Sequence, residues 1–425
     1  MRKYFKKLPR ELRAVIRQAS QVSQETRMPA YLVGGCLRDL ILGVKNLDLD
    51  IAIEGNGIIF AQHLAQKLKS RLKTHERFGT ATLILSDRLK VDIATTRQEK
   101  YPYFAALPVV SLSSLKEDLK RRDFTINAMA LSLAVDKEQK IIDPFDGQAD
   151  LAAGRIRILH NLSFKDDPTR ILRAIRFSQR LNFKIEPKTL LLLKEAIRDG
   201  ALDKVNLHRM RDELILMLKE QNPFRSIKEL SDLGGLSFIS TKLKIGKSTQ
   251  RLFKSIAKQI AWFVKNFPAR RQLDTWLVYF AALLESLTLD QIKMIIYRLS
   301  LPKGEEKRMI SYYQGRRKLI SSLSKKHLLP EQIFSLLEPL SYETIILLSA
   351  TTPNKNFKKY LADFLEIYNG MRLCVYGNDL GSLGVLPGPA YQKIFARVLA
   401  AKLKGQVTNR QTELALIRKL VQANK

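Results

Sequence analysis

The stretch Leu32-Val-Gly-Gly-Cys-Leu-Arg-Asp-Leu-Ile-Leu-Gly-Val-Lys-Asn-Leu-Asp-Leu-Asp-Ile-Ala-Ile-Glu-Gly55 decides how the chain is read. Its first half predicts a strand ending in Gly34-Gly35, then a short helix carrying Arg38 and Asp39. Its second half, Leu47 to Ile53, alternates with period two, so Asp48 and Asp50 share one strand face. Two glycines let a backbone approach a triphosphate closely. Two carboxylates on one face can hold one or two magnesium ions against that triphosphate. A lone Asp-x-Asp equally describes a solvated edge strand. Gly-Gly, Arg38 and Gly43 at these spacings turn the balance toward a metal site.

Working outward, 425 residues are too many for one ordinary core and predict two to four domains. A hydrophobic content of 45% is ample for packed interiors, and no run reaches the length of a membrane span. The balance of 73 Lys and Arg against 41 Asp and Glu, net +32, points to a polyanionic partner, nucleic acid before an anionic membrane. Cys36 and Cys374, far apart, argue against a disulfide framework and for a reducing compartment, the cytoplasm. The basic start Met1 to Lys7 leads into a charged amphipathic segment, and no apolar signal core follows it.

Leu12, Val15, Ile16 and Ala19 predict a helix over 9–26, and Phe60, Leu64 and Leu68 one over 58–72. Strands are expected at 80–85 and 89–95, with Asp87 and Arg88 at their turn. This order suggests a small mixed sheet covered on one side. Asp92 between Val91 and Ile93 is read as a carboxylate inside an apolar strand, which needs a partner. A metal shared with Asp48 and Asp50 is one candidate; a hydrogen bond to Thr95 or a salt bridge to Arg97 is the other. Residues 96–117, with Tyr101, Tyr103 and two prolines, read as a long loop whose rings could stack on nucleobases or pack on the sheet.

Two further constellations carry chemistry. In Asp118-Leu-Lys-Arg-Arg-Asp-Phe-Thr-Ile-Asn-Ala128, Arg121 and Arg122 offer guanidinium forks to phosphate, and Asp123 and Asn127 can read ribose hydroxyls. Salt bridges among Asp118, Arg121, Arg122 and Asp123 are the plainer alternative. Asp166-Asp-Pro-Thr-Arg170 then opens a helix through Leu181 on which Arg170, Arg173 and Arg176 form a basic ridge. Asp167 can accept from an exocyclic amine while Arg170 donates to the adjacent ring nitrogen. Cytosine and adenine fit that pair; guanine and uracil mismatch it.

Residues 32–55, together with Arg-Arg-Asp-Phe-Thr-x-Asn-Ala and Asp-Asp-x-x-Arg, resemble the DNA polymerase beta nucleotidyltransferase superfamily. More narrowly, they are similar to class II tRNA CCA-adding enzymes and bacterial poly(A) polymerases. The resemblance implies an α+β chain: a small mixed-sheet nucleotidyltransferase head (1–154), then an extended all-α neck (155–220), body (221–370) and tail (371–425). It implies Asp48, Asp50 and Asp92 as catalytic, the first two holding Mg2+. Gly34, Gly35, Arg38, Arg121, Arg122, Asp123, Asn127, Asp167, Arg170, Arg173 and Arg176 would bind nucleotide. CTP and/or ATP would be added to the 3′ end of tRNA, gripped at its acceptor end and adjoining duplex, with no membrane involved. Poly(A) polymerase is the alternative activity, and a noncatalytic RNA-binding protein with a retired head the alternative of another class.

The sequence departs from the family's pattern at Asp166, usually Glu, and at Asp146 of Asp143-Pro-Phe-Asp-Gly147, often Gly. The first unsettles the support of Arg170, the second the geometry of a turn. Within 206–218, His208 and Arg211 read as neck packing and solvent charges. Amphipathic helices are expected near 248–265, 270–285, 288–299, 303–324, 330–337, 341–350 and 353–369. The bases of 303–318, with Arg308, Arg316 and Arg317, could follow RNA phosphates or simply be solvated. Tyr376 to Ala390 resembles the family's tail motif.

Overall fold

The structure is a computed structural model that describes residues 8–44, 48–86, 89–134 and 141–423. Leu47 and the expected turn at Asp87 and Arg88 lie outside the described residues. The chain divides into two compact units, Met1–Thr241 and Lys242–Lys425.

The first unit begins with α1 (Arg10–Thr26), which buries Leu12, Val15, Ile16 and Ala19 at the helical spacing of the sequence. Strand β1 (Ala30–Val33) feeds directly into α2 (Gly34–Leu42), so the paired glycines form the helix start rather than the strand end. Strand β2 (Leu49–Ile53) and helix α3 (Gly57–Leu68) follow, α3 capped by Asn56 on the amides of Ile58 and Ile59. Helix α3 stops at Leu68, short of the expected 72, because Lys69 turns left-handed. The next residues form β3 (Arg71–His75), an exposed edge strand that carries no apolar alternation to announce it. Strands β4 (Thr80–Ser86) and β5 (Leu89–Thr95) stand where the alternation places them.

The stretch expected to be a loop contains a hairpin of β6 (Arg97–Lys100) and β7 (Val109–Leu112), with Arg97 opposite Leu112. All four β7 side chains are exposed, so backbone pairing, not a buried face, sets this register. Helix α4 (Leu115–Lys120), β8 (Ala130–Ser132), β9 (Ile141–Ile142) and α5 (Gly147–Ala152) complete the head. The mixed seven-stranded sheet runs β3-β4-β5-β2-β1-β8-β9. Only β2 and β5 are parallel neighbours, which sets Asp50 beside Asp92. Asp146 takes the left-handed conformation at φ 59°, which explains how Asp serves where the family often has Gly. Gly147 after it has no substitute, since a Cβ there would lie 2.3 Å from the Thr125 carbonyl oxygen.

The first unit continues with β10 (Arg155–Ile156), α6 (Ser163–Asp166), α7 (Thr169–Leu181), β11 (Lys184–Ile185), α8 (Pro187–Arg198), α9 (Leu207–Leu218) and α10 (Pro223–Asp232). Helices α9 and α10 pack on α7.

The second unit is helical: α11 (Lys247–Asn266), α12 (Thr275–Leu283), α13 (Leu289–Arg298), α14 (Lys303–Leu323), α15 (Pro330–Leu337), α16 (Tyr342–Thr351), α17 (Lys355–Asp363), α18 (Gly377–Gly381), α19 (Pro389–Leu403) and α20 (Arg410–Gln422). Helix α12 is apolar on all sides and buried from Trp276 to Leu283, so it is a core element. Two of the basic residues read as following RNA phosphates or as solvated are paired with acids of the same unit. Arg308 pairs with Asp274 at 2.7 Å and Arg316 with Glu285, while Arg317 stays exposed. Among the described residues no single helix is long and apolar enough to cross a membrane.

Candidate functional site

A cavity of about 730 Å³ in the first unit gathers every site residue the sequence predicts. Its floor is the junction of β1 and α2. Gly34 sits at φ +69°, and a Cβ there would come 3.0 Å from Arg122 Nη1 and 3.6 Å from Asp50 Oδ2. A side chain would therefore fill the space between acid and base. The N-cap residue, Val33, has no side-chain acceptor for the first-turn amides, a suitable arrangement for an anion.

Asp48, Asp50 and Asp92 line one side of this space. Burial pushes the Asp50 carboxyl up to about 6; Arg122 opposes the rise, and Asp92 and Asp48 add to it by like-charge repulsion. Asp92 is exposed rather than inside an apolar strand, because β5 alternates and Asp92 falls on its open face. Its partner is neither Thr95 nor Arg97. Thr82 Oγ1, across the β4–β5 pairing, donates to Asp92 Oδ1 at 2.6 Å.

Whether these residues fit a divalent ion can be judged from the donor set. Among the described residues no group of three or more His, Cys, Asp or Glu side chains is close enough to hold a metal. Magnesium, however, commonly takes one or two carboxylates and completes its shell with water and substrate phosphate. A repelled, partly buried carboxylate that lines the cavity with Asp48 meets that requirement.

The opposite wall is built of arginines in ordered ion pairs. Asp118 accepts from Arg121 and Arg122, each at 2.8 Å, and their charges hold its carboxyl below the usual range despite burial. Arg121 and Arg122 thus form salt bridges with Asp118 and also line the cavity. Arg122 Nε is nevertheless buried without a hydrogen-bond partner among the described residues. Arg38 is 2% exposed and donates to Asp39 at 2.7 and 2.9 Å and to Asn127 Oδ1 at 2.7 Å. It therefore braces the floor rather than reaching freely for phosphate. Asp123 accepts from Asn127 and Arg173, and although burial opposes it, these partners bring its carboxyl down to about 2. Arg173 and Arg176 both reach Glu213 of α9, and Arg38, Arg173 and Arg176 all lie over the Phe177 ring within 5.3 Å. The ridge on α7 is an inner wall, not a solvated face.

Asp167 and Arg170 enter the same cavity from the start of α7. Asp167 Oδ1 accepts from the Thr169 amide and hydroxyl at 3.1 and 2.6 Å, and Oδ2 from Arg209 at 2.7 Å. Arg170 donates to the Ser163 hydroxyl at 2.7 Å and to the Arg121 carbonyl at 2.6 Å. Asp166 turns to His160, at 3.9 Å, so Ser163 and the Arg121 carbonyl position Arg170. Tyr101 lines the cavity with its hydroxyl on Glu99, whereas Tyr103 is 72% exposed.

Sequence reasoning missed Arg180, Phe177, Ser163 and Arg209. Arg180 extends the ridge by one turn and was available from that spacing. Arg209 lies between His208 and Arg211, and nothing in the sequence tells which of these helix bases faces inward; His208 and Arg211 instead hydrogen-bond each other.

Residues 30–157 match the family model described as Poly A polymerase head domain, and residues 182–240 the one described as probable RNA and SrmB-binding site of polymerase A. An A-adding tRNA nucleotidyltransferase of Halalkalibacterium halodurans is 31% identical over 95% of this chain and 91% of its own length. The chain belongs to the tRNA nucleotidyltransferase family. A-adding tRNA nucleotidyltransferase of Geobacter sulfurreducens is 38% identical over 96% of the chain, which spans about half (47%) of that relative's length. Among solved structures of the family, a CCA-adding enzyme in complex with ATP matches with TM-score 0.74 and 31% identity, covering 100% of this chain and 98% of that one. The Thermotoga maritima CCA-adding enzyme complexed with tRNA CCA matches with TM-score 0.70 and 32% identity over 98% and 97%.

Proposed function

We propose that this chain adds nucleotides to the 3′ end of tRNA without a template, releasing pyrophosphate, and that its nucleotide is A from ATP. The observation that carries the reading is Asp167 and Arg170, an acceptor beside a donor, in one cavity with the carboxylates of β2 and β5. The preference for A draws on the A-adding relatives; the pair itself suits C as well, so CC or CCA addition is the second reading.

Asp48 and Asp50 would hold magnesium, which when bound neutralises charge on the triphosphate and on the leaving pyrophosphate. The amides at the start of α2, with Arg122, bind the triphosphate; Arg38, Asn127, Asp123 and Arg173 keep that wall rigid. The RNA 3′ oxygen forms a bond to the α-phosphorus, and the bond from that phosphorus to the pyrophosphate oxygen breaks. Asp92, steadied by Thr82, is the carboxylate placed to take the hydroxyl proton. Residues 1–154 act as head and 155–220 as neck, while the basic helices of 221–370 and 371–425 grip the acceptor end. We place the enzyme in the cytoplasm, where its tRNA and nucleotides are.

The test is purified protein with tRNAs ending before the terminal two cytidines, after the first and after the second, each given one nucleotide at a time. Incorporation of a single A only on the last supports the reading. CTP incorporation on the first two assigns CC addition instead, and long adenylate tails on unstructured RNA assign a poly(A) polymerase.

A further inference from the structure

Arg209 of α9 occupies a position that two-residue base reading does not require. One guanidinium nitrogen, Nη2, donates to Asp167 Oδ2 at 2.7 Å. The other, Nη1, is buried and has no hydrogen-bond partner among the described residues, and the side chain lines the cavity that Asp167 and Arg170 share. A buried guanidinium donor without an acceptor is destabilising, so a ligand acceptor at that place is favoured. Arg170, in the same cavity, is held by Ser163 and the Arg121 carbonyl. Asp167 thus carries Arg209 on one carboxylate oxygen, in the cavity that Arg170 also lines.

Purine and pyrimidine differ in what such an arrangement meets. With its exocyclic amine on Asp167, adenine offers N1 on one side of the amine and N7, a second acceptor, on the other. Cytosine offers N3 on one side and only the C5 hydrogen on the other. A donor bound to Asp167 and distinct from Arg170 therefore has a second acceptor to meet in adenine and none in cytosine. Asp167 accommodates both Arg209 and the amine, because a carboxylate has about four acceptor sites.

We propose that Arg209 is a specificity-determining residue that donates Nη1 to adenine N7 while Nη2 fixes Asp167, so that the site favours A over C. This rests on the base-reading role of Asp167 and Arg170 given above and adds a third contact to it.

The experiment compares ATP, 7-deaza-ATP, GTP and CTP on tRNA ending in CC. Adenine N7 is a carbon in 7-deaza-ATP, and nothing else on the base's pairing edge changes. Wild-type protein should use 7-deaza-ATP with kcat/KM lower than ATP by about tenfold, the loss of one hydrogen bond to a charged donor. In Arg209→Met that ratio should fall to about one, with ATP use also weakened because Asp167 is unclamped. Arg209→Lys keeps one cation for Asp167, so preference for ATP over GTP should persist while the 7-deaza penalty disappears. Thermal melts of both variants report whether they fold, and the wild-type comparison needs neither. Equal use of ATP and 7-deaza-ATP by the wild type, an undiminished penalty in both variants, or no A incorporation on this tRNA would overturn the inference. If ATP is not preferred over GTP, or Asp167→Ala leaves that preference unchanged, the base-reading role itself fails. Preference for ATP with no 7-deaza penalty removes only the contact from Arg209.

Discussion

Asp50 in the first unit and Glu343 in the second are both carboxylates beside arginines, and burial has opposite outcomes for them. Glu343 is 3% exposed and receives Arg271 at 2.6 and 2.7 Å, Arg308 at 3.3 Å and the Asp274 amide at 3.0 Å. Burial alone would raise its carboxyl, but Arg271 and the Asp274 amide bring it down to about 2. At Asp50 burial and two neighbouring acids prevail over Arg122, and the carboxyl rises to about 6. At Glu343 the arginines outweigh burial, and at Asp50 Arg122 does not. An ion-pair network that satisfies its own members is structural; one that stays incomplete in the folded chain is where a ligand adds what is missing.

The contrast can be broken by substitution, and the largest effect should come from the open cluster. Asp48→Ala should lower nucleotide incorporation by at least about a thousandfold while leaving tRNA binding nearly unchanged, as filter retention with saturating magnesium would measure. Retained turnover would sink the assignment of the acidic face.

Glu343→Gln should do the reverse, leaving kcat intact and destabilising the second unit by about 2–3 kcal/mol, read from denaturant melts. The wild-type contribution has a pH window. Because the folded carboxyl titrates at about 2 rather than 4.5, it stabilises fully above the ordinary carboxylate range and is lost as pH falls toward 2. The side-chain amide of the Glu343→Gln variant does not titrate, so the two proteins should converge in stability at the acid end.

Asp50→Asn should stabilise the chain by about 1–2 kcal/mol at pH of about 7.5 in chelator while abolishing activity. The folded Asp50 carboxyl titrates at about 6 against 3.8, so the folded state binds the extra proton and the wild type loses stability as pH rises through that interval. Below pH of about 4 the difference between the two proteins should vanish. The smallest effect is expected for Asp166→Glu. Asp166 lies 3.9 Å from His160, and among the described residues no hydrogen bond joins it to Arg170, whose charge acts on it only through space, so kcat/KM for ATP should change less than about threefold; a large gain would mean that the acid supports Arg170 directly.

The strand faces were legible in the sequence because period-two alternation is a local property. Asp48 and Asp50 and strands β4 and β5 came from it, as the buried stripe of α1 came from the helical period. The hairpin β6–β7 and edge strand β3 did not, since neither buries a face and their register depends on a partner strand. Asp92 was misjudged for a related reason: Val91 and Ile93 suggested burial, but alternation puts the residue between them on the opposite, open face. For the basic residues, sequence showed the spacing of Arg170, Arg173 and Arg176 but not the partners of the last two, Glu213 on α9 and Glu220 just beyond it.

By itself, the sequence determined which groups the site holds: two adjacent glycines after the first strand, an acid pair two residues apart at the second, and an acid with an arginine at the head of a helix. These follow from residue type and short-range geometry alone. Only the tertiary structure decided which charges neutralise one another. Pairings such as Arg38 with Asn127, Arg170 with the Arg121 carbonyl and Arg209 with Asp167 span 89, 49 and 42 residues. Charge interactions depend on distance in space and on burial, and neither is encoded in separation along the chain.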